Sequence, residues 1–321
     1  MTGPAIGSPG IWLAIPTSVR LTAPLLAGLV TASTAHADDA APLRRRDATV
    51  AEIFAGPFRS PRLFAMPVAD VVGAFQLSLS GDGSLLQEPG LLTSAGVAAI
   101  GFGDVAQIEY RHTTAIGIGR LTAPVPAVGV QLQAPLPRTW PALAIAFRLG
   151  VPRREAIGDA PVDETVTDLY LVTRVTLPRR LAGITLHGGA RVSSARIARP
   201  DLGEDGAAQR TMILPTVGVD VPAGTSARAI AEVGLAPQFR FDPAIEPRPR
   251  VDYGLLGRAG VRWAITPAVV LDASVGYQLE VARMRPAEGP GSLVQWDIRL
   301  GGEVFVPWGA LVCRATGGFC E

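Results

Sequence analysis

The chain is 321 residues long, 48% hydrophobic and nearly neutral, with a formal net charge of +1 and a mean hydropathy of +0.30. Its arginines are scattered rather than gathered into a stripe, which gives no footprint for nucleic acid, and no uncharged apolar run after residue 37 is long enough for a spanning helix, which turns the apolar surplus towards strands. All 29 basic residues are arginine, read here as the coding bias of a GC-rich genome, and the absence of asparagine excludes N-linked glycosylation.

Near the N-terminus Arg20 precedes an apolar stretch, Leu21 to Ala32, and Ala35-His36-Ala37 has the form of a signal-peptidase site. This predicts a cleaved signal peptide over residues 1–37, a mature chain starting at Asp38, and export from the cytoplasm. Residues 38–67 are expected as a periplasmic N-terminal segment that carries Arg44-Arg45-Arg46 and a weakly helical stretch, Thr49 to Phe54. Two readings stay open for it: a plug that enters a lumen, or a disordered leader.

From residue 68 to 306 apolar and polar residues alternate with a period of two, broken about a dozen times by turn residues. The predicted strands are 70–80, 94–102, 105–113, 127–134, 141–149, 166–177, 182–195, 210–221, 226–236, 252–265, 269–283 and 292–306. In the third, Ala106, Ile108 and Tyr110 alternate with Gln107, Glu109 and Arg111. Later, Leu169, Leu171 and Val175 alternate with Asp168, Tyr170 and Arg174, and Gly257, Ala259, Val261 and Trp263 with Arg258 and Arg262. The longest run is Val269 to Val281, where Asp272, Ser274, Gln278 and Glu280 stand between apolar or small residues. An ordinary strand has about five or six residues, whereas one that crosses a bilayer obliquely needs about nine to eleven. Each unpaired amide in hydrocarbon costs several kcal/mol, so such strands must close into a barrel.

The connections carry a second signal. Tight links at Gly103-Asp104, Pro178-Arg179-Arg180, Pro222-Ala223-Gly224 and Thr266-Pro267-Ala268 alternate with long polar ones, including 81–93, 150–165 and 284–291. Short turns on one rim and long loops on the other are what a membrane barrel requires. The sequence therefore predicts an all-β fold: an antiparallel transmembrane β-barrel of about 12 strands, with short periplasmic turns and long extracellular loops, spanning residues 68–306.

The polar phase of these strands supplies the candidate site. Hairpin pairing predicts Asp168 opposite Arg191, Val172 opposite His187, and Arg262 opposite Asp272. With Glu109, Arg111, Arg148, Arg174, Arg258, Glu280, Asp297, Arg299 and Glu303 they form an acid-base lining of the lumen. That lining either borders a water-filled path for small polar or ionic solutes or bridges itself and closes the lumen. A barrel of about twelve strands lies between those that side chains fill and those that stay open.

A catalytic dyad is not found. His187 and Ser193 share a face, but six residues at about 3.3 Å each hold them roughly 20 Å apart, and His112 at a strand end has no serine two residues on. Gly101-Phe-Gly-Asp-Val-Ala106 fits a dinucleotide loop loosely, but a strand follows instead of a helix, so it reads as a hairpin turn. In the tail, residues 307–321, Cys313 and Cys320 are the only cysteines, and in an oxidising periplasm they are expected to form a disulfide. No histidine lies near them in sequence, so neither a metal nor a cofactor is expected.

In its signal peptide, alternating strands and short-long loops the chain resembles bacterial outer-membrane β-barrel proteins of porin-like type over residues 68–306, with no sub-family motif. Tyr110, Tyr253, Trp263, Tyr277, Trp296 and Trp308 supply a thin aromatic belt, and a cysteine tail after Phe305 and Trp308 replaces the terminal aromatic that many such proteins carry. The resemblance implies residence in the outer membrane, contact with its lipid, and insertion by the outer-membrane assembly machinery. The expected function is a passive pore for small polar or ionic solutes. A structural or surface-anchoring barrel with a salt-bridged lumen and ligand-binding loops is the alternative, and a lipid-modifying enzyme is the third.

Overall fold

The computed structural model describes residues 60–73, 75–84, 96–103, 105–112, 116–119, 125–136, 140–157, 159–178, 183–242, 246–278, 296–309 and 312. The expected signal peptide, residues 38–59, Glu280 and the Cys313–Cys320 pair lie outside the described residues. So does the Asp297 side chain.

Fourteen strands are described: β1 (Leu77–Ser84), β2 (Gly96–Phe102), β3 (Ala106–His112), β4 (Ile116–Gly119), β5 (Pro126–Gln133), β6 (Ala142–Gly150), β7 (Arg153–Ile157), β8 (Ala160–Thr176), β9 (Thr185–Ala198), β10 (Ala207–Pro222), β11 (Ala227–Asp242), β12 (Glu246–Thr266), β13 (Val269–Gln278) and β14 (Trp296–Val306). All but β4 and β7 form one antiparallel ring, with β1 pairing β14 and β10 pairing β11 to close it. The two extra strands, which alternation did not reveal, belong to the long connections. β7 extends β8 as a hairpin, and β4 runs parallel to β11.

The alternation has a direct physical cause, because successive side chains on a strand point to opposite faces. Ile108, Val130, Ile145, Phe147, Leu171 and Val261 are exposed on the outside, whereas Gln107, Gln131, Arg148, Asp168 and Arg262 are buried inside. A water-soluble protein does not expose a continuous apolar belt of this extent. Here lipid covers it, and the molecule is a transmembrane barrel of the outer-membrane type.

Three expectations are corrected. The β8–β9 hairpin pairs Asp168 with Ser193, Tyr170 with Arg191 and Arg174 with His187, two residues away from the predicted register. The last pair is Thr176 with Thr185, so the connection is longer than Pro178-Arg179-Arg180, and a shift of two keeps every side chain on its face. The first strand starts at Leu77, not at residue 70, because Val68, Ala69, Val71 and Val72 are buried inside the ring. Tyr253 is not part of an outer belt: its hydroxyl shares its one hydrogen between the Ser193 and Arg210 carbonyl oxygens, both at 2.9 Å.

Two segments fill the ring. Ser60 to Gly73 enters its periplasmic half, where Pro61 to Val68 folds back on itself through Leu63 N–H to Met66 O (2.9 Å) and Val68 N–H to Pro61 O (3.0 Å). Glycines on the wall leave room for it. A Cβ on Gly101 would collide with the Val72 carbonyl oxygen, and one on Gly218 would collide with the Leu63 side chain. In the extracellular half β11 leaves β10 above the Thr216–Gly234 pair and continues with β12 and β4. Phe239, Phe241 and Val251 of this upper hairpin pack against Val162 and Val166 of β8 and Ile197 of β9, on the inner face of the wall. Arg199, stacked 5.5 Å over Phe241 and bonded to Asp201, ties the β9–β10 connection to the hairpin.

Candidate functional site

The site is the lumen at mid-height, between the inserted segment and the folded-in hairpin. Its walls are strand positions of inward phase, which is why charged residues accumulate there without facing lipid. Of the residues read from the sequence, Glu109, Arg111, Arg148, Asp168, Arg191, Arg258, Arg262, Asp272, Arg299 and Glu303 are buried inside the ring, and Arg174 is half-buried near the periplasmic rim, paired with Asp70.

Four groupings emerge. Glu109 pairs with Arg148, whose guanidinium lies 4.6 Å from the Tyr170 ring centre. Arg191 donates to the Tyr170 hydroxyl at 2.7 Å, that hydroxyl donates to Asp168 at 3.2 Å, and Arg191 also reaches the Leu235 carbonyl on β11. Arg262 grips Asp272 through two bonds of 2.8 and 3.2 Å while donating to the Arg62 and Leu63 carbonyls at 3.0 and 2.7 Å. On the β1–β14 side Ser78 pairs with Glu303, and Arg299 pairs with Asp82 at 2.8 Å. The predicted acid-base lining is thus split among local clusters, several of which hold backbone as well as one another.

Arg262 and Arg174, which hold the inserted segment, were read from the sequence as lumen-lining, whereas Glu232, Gln131 and Gln107 were not. Glu232 on β11 accepts the Phe64, Ala65 and Met66 amides at 3.1, 2.8 and 3.1 Å, so one carboxylate satisfies a whole chain reversal. Gln131 donates to the Val68 and Asp70 carbonyls at 2.8 Å each, and the Gln107 carbonyl oxygen accepts the Val72 amide at 2.8 Å. The inward phase of Glu232, Gln107 and Gln131 was a readable signal, but their partner was not, because the segment has no periodicity that places it.

Between these clusters lies a cavity of about 40 Å³. Arg111, Asp168, Tyr170, Arg191, Thr216 and Glu232 line its polar side, with Ala65 and Met66 of the inserted segment below. Arg111 Nε, Arg191 Nε, Asp168 Oδ1 and Thr216 Oγ1 have no hydrogen-bond partner among the described residues. His187 and Ser193 both face inward on β9, six positions apart, and His112 lies edge-on to Tyr110 at 5.9 Å on the outer side.

No protein-family profile and no curated protein matches the chain. Among solved structures it is similar to the NanC porin, at 10% identity over 72% of this chain and 99% of the other, with a TM-score of 0.41. It is also similar to the translocator domain of the autotransporter NalP from Neisseria meningitidis, at 14% identity over 71% and 86% with a TM-score of 0.40. A third is the KdgM porin in complex with disordered oligogalacturonate, at 8% identity over 71% and 98% with a TM-score of 0.39.

Proposed function

We propose that this protein is a plugged outer-membrane channel for small polar or ionic solutes, closed in the state described and opened by withdrawal of Ser60 to Gly73. The observation that carries the reading is the way the segment is held. Glu232, Arg262 and Gln131 bind its backbone groups, alongside one small apolar cluster of Leu63, Phe64, Met66 and Val68 with Ile230 of β11, and hydrogen bonds of this kind can be exchanged for water. Once it is withdrawn, a path lined by Gln107, Gln131, Arg258 and Arg262 remains on the periplasmic side.

The specific observation on the other side is the apolar cluster of Phe239, Phe241 and Val251 against the β8 and β9 wall, which favours a permanently sealed barrel with binding loops. Planar-bilayer conductance separates the two. The mature chain is expected to be nearly silent, and a variant lacking residues 60–73, or carrying Glu232→Ala, to show defined single-channel steps. Silence from folded forms of both variants would remove the channel reading and leave the sealed barrel.

A further inference from the structure

The wall of the barrel is incomplete on one side. β10 and β11 pair only from Thr216 to Pro222 against Arg228 to Gly234. Above that level, β10 from Ala207 to Pro215 has no strand on the β11 side among the described residues, while the β11 edge from Gln238 to Phe241 pairs with β4 instead. Two prolines stand where the strands part, Pro215 on β10 and Pro237 on β11. Neither has an amide hydrogen to give a neighbour, and proline inside a sheet is confined to edges. The opening is therefore written into the sequence.

Its height matters. Six residues separate Pro222 at the periplasmic rim from Thr216, which on a strand tilted by about 40° is a rise of roughly 15 Å. An outer-membrane apolar belt is about 25 Å tall, so the seam begins within the membrane and rises into its outer-leaflet half as far as Arg210, where Asp252 and the Tyr253 hydroxyl of β12 meet β10. The β10 residues there read Met212-Ile213-Leu214-Pro215, with Ile213 66% exposed, and polar Arg210 and Gln209 follow above them.

The cavity described above lies at the foot of this seam. On β11 its lining runs without a break from Glu232 to Ala236, with Glu232 and Ala236 of inward phase and the Val233 side chain on the outer face. At its inner end is Arg111, only 3% exposed and with Nε unpartnered among the described residues. Charges of both signs line it, Arg111 and Arg191 with Asp168 and Glu232, but Glu232 is taken up by the Phe64, Ala65 and Met66 amides, and nearby Glu109 by Arg148. A buried guanidinium without a full set of acceptors is costly unless an anion completes it.

We propose that the β10–β11 seam is a lateral port from the outer leaflet, through which the carboxylate or phosphate head of a single-chain amphiphile reaches Arg111 and Arg191 while its chain stays in the membrane along Ile213 and Val233. This site does not depend on whether the inserted segment ever leaves the lumen.

The test is calorimetric titration of the full mature protein in a neutral maltoside detergent. The probes are laurate, dodecyl phosphate, dodecanol, acetate and inorganic phosphate. Laurate or dodecyl phosphate is expected to bind one to one, at least tenfold more tightly than dodecanol, acetate or inorganic phosphate. Arg111→Gln should weaken that binding tenfold or more, and Arg111→Lys should restore part of it. Gly234→Val, whose new Cβ would stand 3.1 Å from the Thr216 side chain at the throat, should also weaken it, and Ala236→Leu serves if that variant fails to fold. Acetate or phosphate binding as tightly as laurate would make the cavity a plain anion site and overturn the port. Equal binding of dodecanol, undiminished binding by folded Arg111→Gln or by a folded throat variant, or no binding of any probe would overturn it as well.

Discussion

Asp272 and Arg262 show how a single ion pair can serve the wall and the lumen together. Both are buried, and Arg262 directs its remaining donors to the backbone of the inserted segment. Asp272→Ala leaves an uncompensated buried charge, so it is expected to destabilise the barrel by about 3–5 kcal/mol, measurable by denaturant unfolding in detergent. Making both members of the pair apolar at once, Arg262→Met with Asp272→Leu, should recover most of that stability while still loosening the segment, which limited proteolysis would read. Glu232→Ala strips three amides of their acceptor at about 1–3 kcal/mol for each buried group left unmade, and should release the segment without opening the ring. The Arg262–Asp272 pairing was legible in the sequence because a tight Pro267 turn fixes its register. Asp168 and Arg191 were misaligned by two because the connection after Thr176 is longer than its proline suggested, and they meet across Tyr170 instead.

The twelve ring strands were legible because lipid on one side and a polar lumen on the other force a strict alternation. β4 and β7, at four and five residues, are too short to display it. The inserted segment was hidden for the opposite reason: Val68, Val71 and Val72 look like the start of a strand, yet they are buried inside the ring, Val72 beside Gly101 and Gln107, and Val68 in a cluster with Leu63, Phe64, Met66 and Ile230. Gly101→Val, which would drive a Cβ into the Val72 and Gly73 carbonyls, is therefore expected to displace the segment and raise conductance. Replacing both Pro215 and Pro237 by valine restores two amides where β10 and β11 part. The expected outcome is slower hydrogen exchange along Met212 to Leu214 as pairing extends upward, together with weaker laurate binding. Outside the membrane, the Asp201 carboxyl is held below the usual carboxylate range by its hydrogen bond from Arg199. A lowered native pKa means the contact is present above the ordinary carboxylate value and lost as pH falls through the lowered one. The β9–β10 connection should loosen only in acid, seen as faster protease cleavage near Asp205.

The barrel presents short connections at one rim and long ones at the other, so its orientation is testable. In intact cells a protease should cut near Glu155 and Asp205 and spare Arg179 and Arg180; the reverse pattern would invert the assignment. The inserted segment also has a bearing on how the protein is made. Phe64 and its carboxylate partner Glu232 are 168 positions apart along the chain, and Arg262 is farther still. The stretch that is synthesised early thus finds its seat only after the late strands have joined, since loop closure over such a span brings no reward until they exist. Occupancy of the central passage becomes a completion mark: a barrel stalled before β11 and β12 would leave its leading stretch unseated and open to proteases, and would be removed before it could leak.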